Sequence, residues 1–252
     1  YKLGLFLKKM LEELKRAVRD ANKDLVKLEL VHSSTTFGNV SAIDETRRFI
    51  AIKPSGLRYE EMNDNDIVII DIEGNIVEGT KRPSSDTHTH LELYRSFPKI
   101  KAVVHTHSLY ATTFAQAKTP ITCLGTTHAD YFDGEIPVMR DLTTPEIEND
   151  YELNTGKAIV DTFNQLKIDY RVIQACLLPS HGPFSWGESL NKAVENSLIL
   201  EQMAKMNYKT LRLNPIIQPL RKDLLNKHYL RKHGSTAYYG QNDYDKSNPY
   251  GG

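Results

Sequence analysis

The sequence predicts an α/β fold in which a mixed sheet is covered by helices on both faces. Short β-rich runs separated by Gly, Asn, Asp and Pro follow one another in the first third of the chain. Amphipathic segments with helical spacing stand before, between and after such runs. The chain has 252 residues, of which 40% are hydrophobic, and this is enough apolar material for one large domain.

The first predicted element is an amphipathic helix over about residues 8–24. Apolar residues recur at steps of three or four, which places them on one face of a helix. They are Leu7, Leu11, Leu14, Val18, Ala21 and Leu25. We interpret residues 1–9 as an N-terminal extension without a functional role, and residues 10–241 as a single folded domain.

Strands are predicted next, because β-branched and aromatic residues cluster between turn-forming residues. The predicted strands lie in "LELVHSS", "RFIAIKP" and "DIVIIDI", with a short one at 76–78. "FGNVSA", residues 37–42, is typical of a turn. A helix is expected from the Ser/Asp start of "SSDTHTHLELYRSF" to just before Pro98, followed by a strand in "KAVVHTH" and a helix over 109–117 capped by Ser108.

The second half of the chain continues this alternation. "ITCLGTTHADYF" and "GEIPVM" look extended, a helix is predicted from Pro145 onward, and "ACLLPSHGPFSWG" reads as a buried strand running into a loop. "NKAVENSLILEQMAKMNYKTL" is typical of a long amphipathic helix. The tail, residues 242–252, is polar and has no periodicity, so we expect it to be disordered.

Composition restricts the partners of this protein. The 32 basic residues equal the 32 acidic ones, so the net charge favours neither nucleic acid nor an anionic membrane as a partner. The apolar stretch at 3–7 is too short for a signal sequence or a membrane span. Two cysteines fit a reducing compartment better than a disulfide framework. We therefore expect a cytoplasmic protein.

Three histidines form a candidate metal site. If "VVHTH" is a strand, His105 and His107 point to the same face and can converge on one ion. His181, in "PSHGPFSWG", follows another apolar run, and Asp86 could supply an oxygen ligand or act as a base. Three imidazoles with an open fourth position are typical of a catalytic zinc. Spacing alone leaves open that these are ordinary histidines at a strand end and in a loop.

Two tetrapeptides are candidates for binding a phosphate group. "KPSG", residues 53–56, and "PSSD", residues 83–86, place hydroxyl groups beside Pro or Gly in loops where backbone N–H groups are unpaired. Such a loop binds anions, especially at a helix N-terminus. Each tetrapeptide taken alone is equally typical of a plain turn.

Several sequence blocks, taken together, point to a known family. In order along the chain they are "GNVSAID", "IKPSG", "VEGTKRPSSDTHTHLELYRSFP", "VVHTHS", "GTTHADYFDGEIP", "SHGPFSWG" and "KHYLRKHGSTAYYGQ". Over about residues 10–241 the sequence resembles the class II aldolase/adducin family, and within it the enzymes that epimerise a pentulose phosphate. The resemblance implies a three-layer α/β/α sandwich with a central, mostly antiparallel sheet. It also implies a homotetramer with active sites between subunits and no nucleic-acid or membrane partner.

The resemblance further implies roles for individual residues. The implied metal is zinc, with manganese or cobalt also compatible with such ligands. Its ligands would be His105, His107 and His181, with Asp86 beside them. The phosphate site would use Ser55, Gly56, Ser84 and Ser85, with Asn39 and Lys53 close by. Asp130 and Tyr239 would transfer protons, the tyrosine reaching in from a neighbouring subunit, with Thr126 and His228 in support.

The activity implied is interconversion of L-ribulose 5-phosphate and D-xylulose 5-phosphate by cleavage and re-formation of the C3–C4 bond. The family's aldolases carry Glu where this chain has Asp86, which favours epimerase over an aldolase acting on fuculose or rhamnulose 1-phosphate. A non-enzymatic adducin-like domain would lack the histidines, and a structural zinc protein would need a fourth protein ligand. His88 stands where related epimerases often have Pro. The pathway, arabinose or ascorbate breakdown, is left open.

Overall fold

The computed structural model describes residues 2–234 and 237–238. The tail at 242–252 and Tyr239 lie outside the described residues. The helices are α1 (Lys2–Lys27), α2 (Thr87–Ser96), α3 (Leu109–Gln116), α4 (Thr126–Ala129), α5 (Thr144–Glu148), α6 (Tyr151–Gln165), α7 (Leu190–Leu213) and α8 (Lys222–His233). The strands are β1 (Asn39–Ile43), β2 (Phe49–Ile52), β3 (Val68–Asp71), β4 (Ile76–Glu78), β5 (Ala102–His105), β6 (Ala175–Leu177) and β7 (Pro183–Gly187).

These strands form one seven-stranded sheet in the order β4-β3-β2-β1-β5-β7-β6. Every pairing between neighbouring strands is antiparallel. The α/β fold with a mostly antiparallel sheet, which the family resemblance implied, is therefore confirmed. The mixed sheet suggested by the order of the elements is not found among these strands. β5 lies inside the sheet, between β1 and β7, so both of its edges are paired with neighbouring strands.

The sheet carries a hydrophobic core on each face. Alternate residues of a strand point to opposite faces, and on β5 Val103 packs with α2, α3 and α6 while Ala102 and Val104 pack with α1. α7 contributes buried side chains to both cores. Full burial of a Val, Leu, Ile or Phe side chain contributes about 1.5–3 kcal/mol, so the two cores together stabilise the three layers. Among the described helices, none combines the length and the apolarity needed to cross a bilayer.

The first predicted strand was wrong in position. "LELVHSS" forms turns and bends after α1, and the strand is Asn39–Ile43, within the segment predicted to turn. β1 is buried along its length although it contains Asn39 and Ser41. Their side chains are hydrogen-bonded to residues of α2 and of the preceding loop. Local propensity could not indicate this strand, because buried polar groups are acceptable only where tertiary partners satisfy them.

Other differences concern helix ends and short elements. α1 begins at Lys2 rather than near residue 8, so most of the predicted extension is continuous with the helix. The helix predicted from Pro145 is divided into α5 and α6 at Asp150, whose φ of 50° is left-handed. "ACLLPSHGPFSWG" provides two strands instead of one. The segment predicted to be extended contains the short helix α4, and α8 had no prediction.

Candidate active site

The candidate site lies where the neighbouring strands β1 and β7 begin and β5 ends. His105 is the last residue of β5, and it lies directly opposite Asn39, the first residue of β1, and Phe184 of β7. Because β1 and β7 run antiparallel to β5, both strands begin beside the end of β5. His107 follows β5 in an irregular segment, not on the strand as predicted, and His181 precedes β7 by two residues.

The three histidine rings converge. Each pair of rings has a centroid separation of 4.9 Å. One ligand nitrogen from each ring lies within 4.8 Å of the other two, and the Nε2 atoms of His105 and His107 are 3.1 Å apart. Nitrogen atoms gathered in this way fit a single divalent cation with a remaining open position.

The protonation of these imidazoles also fits metal binding. The Nδ1 of His105 donates to the carbonyl oxygen of Pro183 at 2.9 Å, which leaves the lone pair on Nε2. Burial lowers the pKa of His105 to about 3, although the charge of Asp86 opposes this shift. Burial likewise lowers the pKa of His107 and of His181. The rings are therefore uncharged at neutral pH, which is the form that binds metals.

Asp86 is held beside the histidines at the start of α2. Its side chain does not cap the helix; Oδ2 accepts a hydrogen bond of 2.6 Å from Nδ2 of Asn39. Burial raises the pKa of Asp86, but the neighbouring imidazoles and the Asn39 hydrogen bond outweigh burial and hold it below its usual range. Among the described residues, the group whose ligand atoms come together consists of the three histidines and does not include Asp86.

Ser84 connects Asn39 and Asp86. Its Oγ accepts hydrogen bonds from Nδ2 of Asn39 at 3.0 Å and from the backbone N–H of Asp86 at 3.3 Å. The other amide atom of Asn39, Oδ1, is buried and has no partner among the described residues. The hydroxyl of Ser84 is thus used within the protein, whereas Oδ1 of Asn39 remains able to accept a hydrogen bond from a ligand.

The two tetrapeptides lie side by side. Pro54 and Pro83 form an isolated antiparallel bridge, the N–H of Ser84 donates to the carbonyl of Lys53, and the N–H of Ser55 donates to the carbonyl of Arg82. Gly56 has a φ of 70°, a conformation that glycine adopts without strain. The loops therefore form one wall, in which Ser55 is half-buried and Ser85 is exposed.

Lys53 extends beneath this wall. It is 1% exposed, and its Nζ donates to the carbonyl of Thr36 at 2.9 Å and lies 4.9 Å from the centre of the Tyr59 ring. Burial lowers its pKa to about 8, against the attraction of Asp86. Lys53 is a buried cation close to neutral pH, and a bound anion would stabilise its charge.

A cavity of about 240 Å³ joins the histidines to the two loops. It is lined by Thr36, Phe37, Gly38, Asn39, Lys53, Pro54, Ser55, Gly56, Ser84, Ser85, Asp86, His105, His107, Tyr151, Glu152 and His181. The residues predicted for the metal and for the phosphate thus line the same space. Phe37 forms part of the rim, with its ring 5.1 Å from that of His107. A larger groove of about 570 Å³, between α1 and the beginning of α7, contains no histidine.

The structure places Asp130 elsewhere. Its carboxylate accepts hydrogen bonds from Nη2 of Arg231 at 3.0 Å and is 3.1 Å from Nδ1 of His228. Burial raises the pKa of Asp130, but hydrogen bonds from Arg231 and His228 outweigh burial and lower it. Thr126 lies one helical turn before Asp130 and accepts its N–H through a backbone carbonyl. None of these residues lines the cavity within the described chain, and the predicted role of Tyr239 falls outside the described residues.

Sequence reasoning missed Arg231 and several residues of the cavity, among them Tyr151 and Glu152. Tyr151 and Glu152 begin α6 and line the cavity, and the hydroxyl of Tyr151 is 3.3 Å from Nδ1 of His181. Neither residue carried a signal, because each is ordinary at the start of an amphipathic helix. The helix breaks at Asp150, and α6 begins beside the histidines.

Comparison with known sequences establishes the family. Residues 16–208 match the family described as "Class II Aldolase and Adducin N-terminal domain". The chain belongs to the class II aldolase and adducin family. This membership agrees with the resemblance inferred from the sequence blocks, and the antiparallel sheet between helical layers is the fold of its structural neighbours.

Named relatives of this chain are similar over nearly its whole length. The L-ribulose-5-phosphate 4-epimerase UlaF of Salmonella paratyphi C is 48% identical over 231 residues, which cover 92% of this chain and 100% of that protein. The protein of the same name from Salmonella typhi has the same identity and coverage.

Solved structures of the family are similar in fold. An L-fuculose 1-phosphate aldolase superposes with a TM-score of 0.71 at 26% identity and covers 86% of this chain and 94% of its own. An L-fuculose-1-phosphate aldolase from Thermus thermophilus has a TM-score of 0.63 at 24% identity, with coverage of 82% and 99%. At this identity, the similarity to the Thermus thermophilus protein shows a shared fold and nothing more.

Proposed function

We propose that this protein is a metal-dependent L-ribulose-5-phosphate 4-epimerase, an isomerase that interconverts L-ribulose 5-phosphate and D-xylulose 5-phosphate. One observation carries the proposal: three converging imidazoles and the loops at 53–56 and 83–86 line one cavity. The 48% identity to proteins of that name supports the choice of substrate. Asp86 in place of the glutamate of the family's aldolases supports epimerisation over cleavage with release of the two fragments.

The chemistry of the substrate explains why such a site is needed. C4 is β to the C2 carbonyl, so its hydrogen is not acidic and simple deprotonation cannot invert this centre. Cleavage of the C3–C4 bond converts C4 into the carbonyl carbon of glycolaldehyde phosphate, which is planar. Rotation of this aldehyde followed by re-formation of the bond gives the epimer.

We assign the metal site to His105, His107 and His181, with zinc as the native ion and Asp86 beside it. A divalent cation here would polarise the substrate carbonyl and stabilise the negative charge that develops as the C3–C4 bond breaks. The protein supplies neutral ring nitrogens for this purpose, and the carbonyl of Pro183 keeps His105 in the correct tautomer.

The phosphate group is assigned to the wall formed by residues 53–56 and 83–85. Lys53, Ser55, Gly56 and Ser85 would contact the phosphate, while Ser84 holds Asn39 and Asp86 in place. The buried Oδ1 of Asn39 can accept a substrate hydroxyl. The aldehyde fragment keeps its phosphate after cleavage. The wall would therefore hold the fragment by this phosphate while the aldehyde group rotates.

Proton transfer is assigned to Asp130 and Tyr239, supplied to each cavity by a second copy of the chain within a homotetramer. One feature supports this assignment: Asp130 does not line the cavity of its own chain, so it is available to a cavity of another copy. Arg231 and His228 fix its carboxylate, and Thr126 lies beside it on α4. The buried, unpaired Cys123 and Cys176 suit an enzyme of the reducing cytoplasm.

The test is conversion of L-ribulose 5-phosphate by metal-loaded and by chelated protein, followed as D-xylulose 5-phosphate. We expect turnover that chelation abolishes and zinc restores. Detection of free glycolaldehyde phosphate at a rate equal to substrate loss would instead identify an aldolase. Equal turnover with and without metal would refute the proposal.

A further inference from the structure

We propose that Tyr151 is a positioning residue that sets the orientation and tautomer of His181 for metal binding. The inference rests on the metal site of the proposed function and extends it to a residue outside the ligand set. Tyr151 is the first residue of α6, it is half-buried, and its side chain lines the cavity. Its hydroxyl oxygen is 3.3 Å from Nδ1 of His181.

His181 needs such a partner more than His105 does. His105 ends a central strand, its Nδ1 donates to the carbonyl of Pro183, and its ring stacks on Phe184 at a centroid distance of 4.3 Å. His181 lies instead in the short loop between β6 and β7, after Ser180, which has a left-handed φ of 60°. A ring on a loop can turn about its side-chain bonds, so a hydrogen bond to one nitrogen selects which nitrogen faces the cluster.

The hydrogen-bonding groups around Tyr151 are consistent with one arrangement. A phenol oxygen accepts one hydrogen bond and donates another. Thr155 lies one turn further along α6, adjacent to the phenol, and its buried hydroxyl has no hydrogen-bond partner among the described residues, so it is available to the phenol. If the phenol donates to Thr155, its oxygen accepts from Nδ1–H of His181. The lone pair of His181 is then on Nε2, as it is in His105.

The break between α5 and α6 places the tyrosine. Asp150 adopts the left-handed conformation at the helix start, which Asp tolerates better than most residues do. The chain therefore turns sharply and begins α6 with Tyr151 in the cavity. A continuous helix, as the sequence pattern predicted, would have no such end at this point.

The experiment measures metal affinity rather than turnover. Zinc and cobalt dissociation constants of the intact oligomer are determined by competition with a chromophoric chelator for the wild type and Tyr151→Phe. Loss of a hydrogen-bond partner to a metal-binding histidine typically weakens binding by about 10–100-fold, and we expect that range. The control is Tyr170→Phe, which removes a hydroxyl that accepts from the N–H of Lys99 at 3.4 Å, outside the cavity; its affinity should equal that of the wild type.

A second measurement reads the tautomer directly. Nitrogen NMR of histidine-labelled, metal-free protein should show Nδ1–H for His181 in the wild type and a mixture of tautomers in Tyr151→Phe. Unchanged metal affinity in Tyr151→Phe, whatever its turnover, would overturn the inference. Weakened metal binding in a protein that leaves L-ribulose 5-phosphate unchanged would uphold Tyr151 and refute the proposed function, so the two failures are distinguishable.

Discussion

The side-chain amide of Asn22 on α1 pairs with both backbone groups of Val40 on β1. Oδ1 of Asn22 accepts from the N–H of Val40 at 2.9 Å, and Nδ2 donates to its carbonyl at 3.2 Å. The register of β1 and β2 would place Lys53 opposite Val40, but β2 ends at Ile52. A helix side chain thus replaces the missing strand neighbour, one residue from Asn39 and beside the loop that carries Lys53.

Replacing Asn22 with Leu should destabilise the protein strongly. Asn22 is fully buried, and Leu leaves the N–H and the carbonyl of Val40 without partners. An unpaired buried backbone group costs about 1–3 kcal/mol, and here there are two such groups. Urea unfolding at fixed protein concentration measures the free energy. The control is Asn207→Leu, which removes one hydrogen bond to the carbonyl of Thr122; equal losses in both variants would argue against the strand-neighbour role.

Replacing His107 with Ala should abolish both bound metal and activity. The variant leaves only two converging imidazoles, and the open site loses a third of its nitrogen ligands. Zinc content by mass spectrometry and turnover of L-ribulose 5-phosphate are the measurements. The control is His88→Ala, on the exposed side of α2, which should keep both. Normal zinc content in His107→Ala would contradict the assigned ligand set.

Phosphosugar binding should weaken as pH rises above about 8. The pKa of Lys53 is lowered to about 8 by burial, so its charge is present below that pH and is lost above it. The ratio kcat/KM reports groups of the free enzyme and should fall through this range. The same shift should make the free energy of unfolding rise as pH increases from about 8 to 10.5. In this range the unfolded lysine still binds its proton and the folded one does not.

Lys53→Met provides the comparison for this pH dependence. Its KM should be raised at pH 7, and the alkaline fall should disappear. Lys101→Met, which removes an exposed lysine paired with Glu45, should leave the wild-type profile unchanged. An alkaline limb that persists in Lys53→Met would assign the titration to another group.

Inactive variants from the two halves of the proposed site should complement each other. Asp130→Asn and Tyr239→Phe should each lower turnover by about 10²–10⁴ while the metal stays bound, as expected for a lost proton donor or acceptor.

If each cavity combines residues of two copies, Asp130→Asn refolded together with His107→Ala regenerates roughly a quarter of the sites. Activity measured after mixing at equal concentrations tests this. No recovery in verified mixed oligomers would contradict a shared site.

Much of this protein could be predicted from the order of its residues. The apolar repeat of α1, the helix start before α2 and the β-rich runs of β2 and β3 are local patterns, because side chains a few residues apart decide which face is buried. The pairing of His105 with His107 and the hydroxyl-rich loops at 53–56 and 83–86 were recognisable for the same reason.

Tertiary structure decided what depends on partners distant in sequence. β1 is a strand because Asn22 and α2 satisfy its polar groups, and no local preference for Asn39 or Ser41 indicates this. His181 meets His105 only because β7 pairs with β5, and Tyr151 reaches His181 only because the helix breaks at Asp150. Contacts between distant segments leave no periodic pattern along the chain. They are decided only when the complete chain folds and brings those segments together.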